Sequence, residues 1–64
     1  MNELVKMLRW AKRKKLYIEI YGDGSADVQW DNGQYGVYRL IGTGPTLLRA
    51  LRNAKKNMEK EKQA

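Results

Sequence analysis

The 64-residue sequence contains no cysteine and no histidine. That excludes disulfide staples, zinc-finger ligand sets and thiol or imidazole catalysis together. It also lacks any apolar run long enough for a signal peptide or a membrane span, so the chain reads as soluble and cytoplasmic. Acids are scarce, 7 against 13 lysines and arginines, for a net charge of +6. Sixty-four residues make one domain, 1–64, whose single core must use nearly every apolar side chain.

The charge is segregated. Residues 1–15 hold six cations and one acid, a net +5. Residues 16–41 hold Arg39 against Glu19, Asp23, Asp27 and Asp31, a net −3, and residues 42–64 return to +4. Basic ends flank an acidic middle, an asymmetry that orients a polyanion or an acidic protein toward one side.

Residues 2 to about 14 read as a helix, with Leu4, Leu8 and Ala11 on its buried stripe, Met1 and Val5 on one flank and Met7 and Trp10 on the other. Asn2 is the expected N-cap, and the run Lys12-Arg13-Lys14-Lys15 complements the dipole at the C-terminal end. Three strands follow. Leu16 to Tyr21 alternates, and Gly22-Asp23-Gly24 suits a three-residue hairpin loop with Gly24 left-handed, which pairs Leu16 with Trp30, Ile18 with Val28 and Ile20 with Ala26. The second strand is Ala26 to Asp31. Asn32-Gly33 predicts a two-residue turn that sets Trp30 against Tyr35 and Val28 against Val37, with a third strand over Gln34 to Ile41.

Gly42-Thr43-Gly44-Pro45-Thr46 then ends the sheet and opens a helix with Pro45 at its first position. Leu47, Leu51, Ala54 and Met58 form its buried stripe, flanked by Leu48, with Arg49, Arg52, Lys56 and Lys60 opposite and a frayed tail from Glu59 to Ala64. The fold class is α+β: a two-layer αβββα domain in which both helices cover one face of a three-stranded antiparallel meander. Tyr17, Tyr21, Tyr38, Gln29, Glu19 and Asp27 occupy the open face.

Little here suggests catalysis. Ser25, Thr43 and Thr46 have no base to activate them, and Glu19 and Asp27, although cross-strand neighbours in which one pKa would be raised, lie on an open face. The sequence therefore reads as no enzyme, with no cofactor. Asp23 to Asp27 lacks the glycine and closing glutamate of a calcium loop, so no metal is expected. The Gly42-Thr43-Gly44 turn into a helix offers backbone N–H groups to a phosphate, but it is no P-loop, because no Gly-Lys-Ser/Thr follows; a tight strand-to-helix connection is the favoured reading.

The helix-strand-strand-strand-helix order resembles that of double-stranded RNA-binding domains, and Gly42-Thr43-Gly44-Pro45-Thr46 followed by Ala50 and Ala54 looks like that family's Gly-x-Gly-x-Ser entry into its last helix. The resemblance spans the chain in topology but about a dozen residues in motif. It implies phosphate-gripping lysines near the start of that helix, where this chain has Pro45, Leu47 and Leu48, and a long first hairpin loop, here Gly22-Asp23-Gly24. In size and order the chain is also similar to small phage-encoded proteins, some anti-CRISPR proteins among them, that inhibit a host factor.

Two functions remain open on the sequence. One is a nucleic-acid-binding module that contacts the DNA or RNA backbone without sequence readout, through Lys12, Arg13, Lys14, Lys15, Arg49, Arg52 and Lys56. The other is an inhibitor or adaptor that meets a host protein through Tyr17, Tyr21 and Tyr38 rimmed by Glu19, Asp27 and Asp31. The outer strands also leave edges for a partner strand or a second copy, as a homodimer. A membrane-surface role for the first helix ranks third, because packing would consume its apolar face.

Overall fold

The computed structural model describes residues 2–31 and 38–63, and the side chains of residues 2–30 and 38–60. Five elements follow one another: helix α1 (Glu3–Arg13), strands β1 (Leu16–Ile20), β2 (Ala26–Asp31) and β3 (Tyr38–Gly44), and helix α2 (Leu47–Gln63). The strands form one antiparallel sheet in the order β1-β2-β3, as the alternation predicts.

α1 begins where Asn2 Oδ1 accepts the Val5 N–H at 2.9 Å, so the expected cap satisfies one of the helix's orphan donors. Lys12 and Arg13 occupy the last turn. The chain then leaves through Lys15 at φ 59°, a left-handed position more often filled by glycine. The first hairpin is the expected one. Leu16 pairs with Trp30, Ile18 with Val28 and Ile20 with Ala26. Tyr21 N–H donates to the Ser25 carbonyl at 2.8 Å, closing a three-residue loop in which Gly24 has φ 91°.

The second hairpin differs from the expectation. Trp30 pairs with Arg39, not Tyr35, and Val28 pairs with Gly42, not Val37. The Asn32-Gly33 turn, Tyr35 and Val37 lie outside the described residues. The cause is visible in β3, which begins at Tyr38 and carries Gly42 and Gly44 into the sheet instead of ending before them. α2 lies chiefly over β3, so close that a Cβ on Gly42 would stand 2.5 Å from both the Ala50 carbonyl oxygen and the Ala54 nitrogen. The strand needs glycine there, and that need outweighs the local turn signal. A bulge between Val28 and Gln29 of β2 and the facing stretch of β3 leaves Ile41 as the extra residue. Leu40 therefore faces outward while Ile41 and Gly42 are both buried.

α2 starts two residues later than expected. Thr46 is its cap, with Oγ1 accepting the Arg49 N–H at 3.2 Å, and Pro45 precedes it. The segment read as a frayed tail continues the helix to Gln63, in keeping with its strong helix formers.

One core lies between the helices and the sheet: Met7 and Ala11 from α1, Ala26, Val28 and Ile41 from the strands, and Ala50, Leu51 and Ala54 from α2. Both helices thus cover one face. Along α1 the buried line is Met7 and Ala11, flanked by Leu4 and Trp10, whereas Leu8 is exposed at the margin. Ile20, expected inside, is 60 % exposed at the outer edge of the sheet, although its cross-strand partner Ala26 is fully buried.

Candidate nucleic-acid interface

Where α1 and α2 pack side by side, two adjoining hollows of about 310 Å³ each make one groove. α1 contributes Lys6, Arg9, Trp10 and Arg13, with Lys14 just beyond its end, and α2 contributes Lys55, Met58 and Glu59. Five cations stand against one acid, a net +4 along the groove. Trp10 and Lys55 alike are placed by helical periodicity. Trp10 sits on the flank of the buried line Met7–Ala11, and Lys55 lies one turn beyond the buried Leu51, so each meets the seam between the helices. Trp10 is half-buried and lines both hollows with the cations, and Met58 adds apolar surface. The groove combines an aromatic surface with positive charge, the two elements by which single-stranded nucleic acids are held.

The cations singled out in the sequence do not form one patch. Arg13 and Lys14 line the groove. Lys56 lies on the far side of α2, with Lys60, beside β3. Arg49 stands at the start of α2, its Cβ close against Gly44. Arg52 is engaged by α1: its Nε donates to Glu3 Oε2 at 2.7 Å and its Nη2 to Oε1, a bidentate pair between exposed groups. The guanidinium holds the Glu3 carboxyl below its ordinary value, through the hydrogen bond first and the charge second. That acid is invisible along the α2 sequence, since 49 residues separate the pair. Lys12 and Lys15 are exposed outside the groove lining. Lys6, Arg9 and Lys55 were missed by reading each helix alone; they come together only through the packing of α1 on α2.

The open sheet face has a different chemistry. The Tyr17 and Tyr38 rings approach to 5.8 Å between centroids at a tilt of 48°. With Leu40, opposite Gln29, they form an apolar patch in which each residue is 53–55 % exposed. Beside it, the Tyr21 hydroxyl donates to Asp27 Oδ2 at 2.6 Å, and Thr43 Oγ1 donates to Asp27 Oδ1 at 2.8 Å. A raised carboxylate pKa was expected from the Glu19–Asp27 pair. Asp27 is instead held below its ordinary value by the Tyr21 hydrogen bond and then by Thr43, while Tyr21 is pushed up to about 12, chiefly by its hydrogen bond to Asp27. The acid pair has been converted into a hydrogen-bonded network.

Asp23 folds onto its own loop, accepting from the Ser25 N–H at 2.9 Å and the Ser25 hydroxyl at 2.6 Å. Among the described residues no group of three or more acids is placed to hold a metal ion. Gly42, Thr43 and Gly44, read as a strand-to-helix connection, are strand residues. No helix among the described residues is long and apolar enough to cross a membrane.

Comparison with known proteins returns no match to a family model, to a curated protein or to a solved structure.

Proposed function

We propose that the chain is a non-enzymatic module that binds single-stranded nucleic acid along the groove between α1 and α2. The observation that carries this reading is the placement of Trp10 among Lys6, Arg9, Arg13, Lys14 and Lys55, contributed by both helices. Phosphates lie against the cations and release counterions, while a base stacks on the indole. The helix-strand-strand-strand-helix order is shared with double-stranded RNA-binding domains. The positions where that family grips a duplex hold Pro45, Leu47 and Leu48, and the first hairpin loop is three residues long, so a single strand fits better than a duplex. Among the described residues no base-reading element is offered, and binding is independent of sequence.

Fluorescence anisotropy with labelled single-stranded and duplex oligonucleotides tests this. Single strands should bind at low salt and lose affinity steeply as salt rises, with Trp10→Ala costing about 1–3 kcal/mol. Absence of binding to any nucleic acid at low salt would end the reading.

A second reading rests on the Tyr17, Tyr38 and Leu40 patch, whose exposed aromatics and polar rim suit a protein contact, as an inhibitor of a host factor would need. A nuclease-treated pull-down of wild type and Tyr17→Ala/Tyr38→Ala separates the two. A partner retained after nuclease and lost in the double variant supports the second reading.

A further inference from the structure

The two edges of the sheet are treated differently. On β3, residues 41 and 43 turn their carbonyls away from β2, and α2 covers both: Asn57 Nδ2 donates to the Ile41 oxygen and Asn53 Nδ2 to the Thr43 oxygen, each at 2.7 Å. That edge cannot accept another strand without losing these bonds. On β1 the ladder alternates from the bonded pair Tyr21–Ser25, so Tyr17 and Glu19 turn toward β2 while Leu16, Ile18 and Ile20 present N–H and C=O outward. Among the described residues, no backbone bond from outside the sheet reaches these three. Ile20 stands beside this edge, 60 % exposed.

We propose that the free edge of β1 pairs antiparallel with β1 of a second copy, on a two-fold axis through Ile18, giving a continuous six-stranded sheet. The sequence Leu16-Tyr17-Ile18-Glu19-Ile20 is self-complementary in this register. Ile18 faces its own copy and Leu16 faces Ile20, so about six backbone hydrogen bonds form between outward-turned residues. On the helix face, Leu16 of one copy covers the exposed Ile20 of the other. On the open face, Tyr17 lies opposite Glu19, which keeps the two glutamates apart. Beyond the strand, Arg13, Lys14 and Lys15 of one copy approach the hairpin tip of the other, where Asp23 is exposed. A parallel pairing would instead set Glu19 on Glu19 and one cationic run on the other, which charge repulsion disfavours. The occupant that fits both the apolar and the charged ends of this edge is therefore the same chain.

Sedimentation equilibrium across a wide concentration range, with circular dichroism as a control for folding, tests the pairing. The wild type should pass from monomer to dimer as concentration rises. Ile20→Lys changes an exposed side chain and should weaken dimerisation at least tenfold, because edge lysines oppose strand pairing. Leu40→Lys, equally exposed but on the open face away from β1, should leave it unchanged. Amide exchange at Ile18 and Ile20 should slow with concentration. A wild type that stays at the 7.5 kDa monomer mass throughout overturns the proposal. A dimer lost with Leu40→Lys and kept with Ile20→Lys overturns it equally, by moving the interface to the open face.

Discussion

Asn57 donates its side-chain amide to the backbone carbonyl of Ile41 at 2.7 Å, across 16 residues of sequence. One helical turn earlier, Asn53 does the same for Thr43. The spacing of four on the helix matches the spacing of two on the strand, since both advance by about 6 Å. Asn57→Ala should cost about 1 kcal/mol in chemical denaturation, the range for one part-buried hydrogen bond. The double variant with Asn53→Ala should expose a second sheet edge and aggregate at concentrations where the wild type does not. Light scattering reads this directly.

Gly42→Ala should be the most damaging single methyl added at any of the described glycines. Its Cβ would meet the Ala50 carbonyl oxygen and the Ala54 nitrogen at 2.5 Å, backbone atoms that no rotamer change can move. Overpacking of this kind costs about 1–3 kcal/mol or more, a large share of what a domain this small has. Loss of cooperative thermal unfolding by circular dichroism is the expected result.

These glycines also show how far the sequence could be read. The first hairpin was legible because loop length, Gly24 and apolar alternation all agree on one register. In the second, Asn32-Gly33 gave an equally plausible pairing with Tyr35 and Val37, and nothing local reveals that α2 must lie against bare backbone. Gly42 and Gly44 resembled a connection because the helix that requires them comes later in the chain. The basic surface followed the same pattern. Each helix's cations were legible, but Arg52 meets Glu3 and Lys55 joins the α1 groove only through the packing of α1 on α2.

The Tyr21–Asp27 bond makes a titration prediction with two limits. The Tyr21 hydroxyl, at about 12 when folded against 10.0 otherwise, has its stabilising bond whole below pH 10 and loses it as pH rises through about 12. Asp27, depressed below 3.8, contributes above about pH 4 and loses that contribution as pH falls through its lowered value. Ultraviolet titration should show the Tyr21 phenol ionising at about 12. Asp27→Asn should return it toward the ordinary phenol value.

Lys15 holds a left-handed backbone at φ 59° where α1 turns into β1. Lys15→Gly should relieve strain and raise stability by about 0.5–1 kcal/mol, measured as a higher denaturation midpoint with an unchanged slope. Because Lys15 lies outside the groove lining, the same variant should bind single strands nearly as well as the wild type.

Lys55 and Lys56 are adjacent in sequence and both exposed, yet only Lys55 lines the groove with Trp10; Lys56 lies beside β3. Lys55→Glu and Lys56→Glu alter the net charge by the same amount, so general electrostatic attraction falls equally in both. The decisive measurement is the affinity of each variant for a labelled oligothymidine at several salt concentrations. The groove account predicts at least a tenfold weaker affinity for Lys55→Glu and a much smaller change for Lys56→Glu. It also predicts that the logarithmic salt slope of Lys55→Glu shrinks by about 0.7 for each phosphate the variant no longer neutralises. Equal weakening in the two variants, or none in Lys55→Glu, would contradict it.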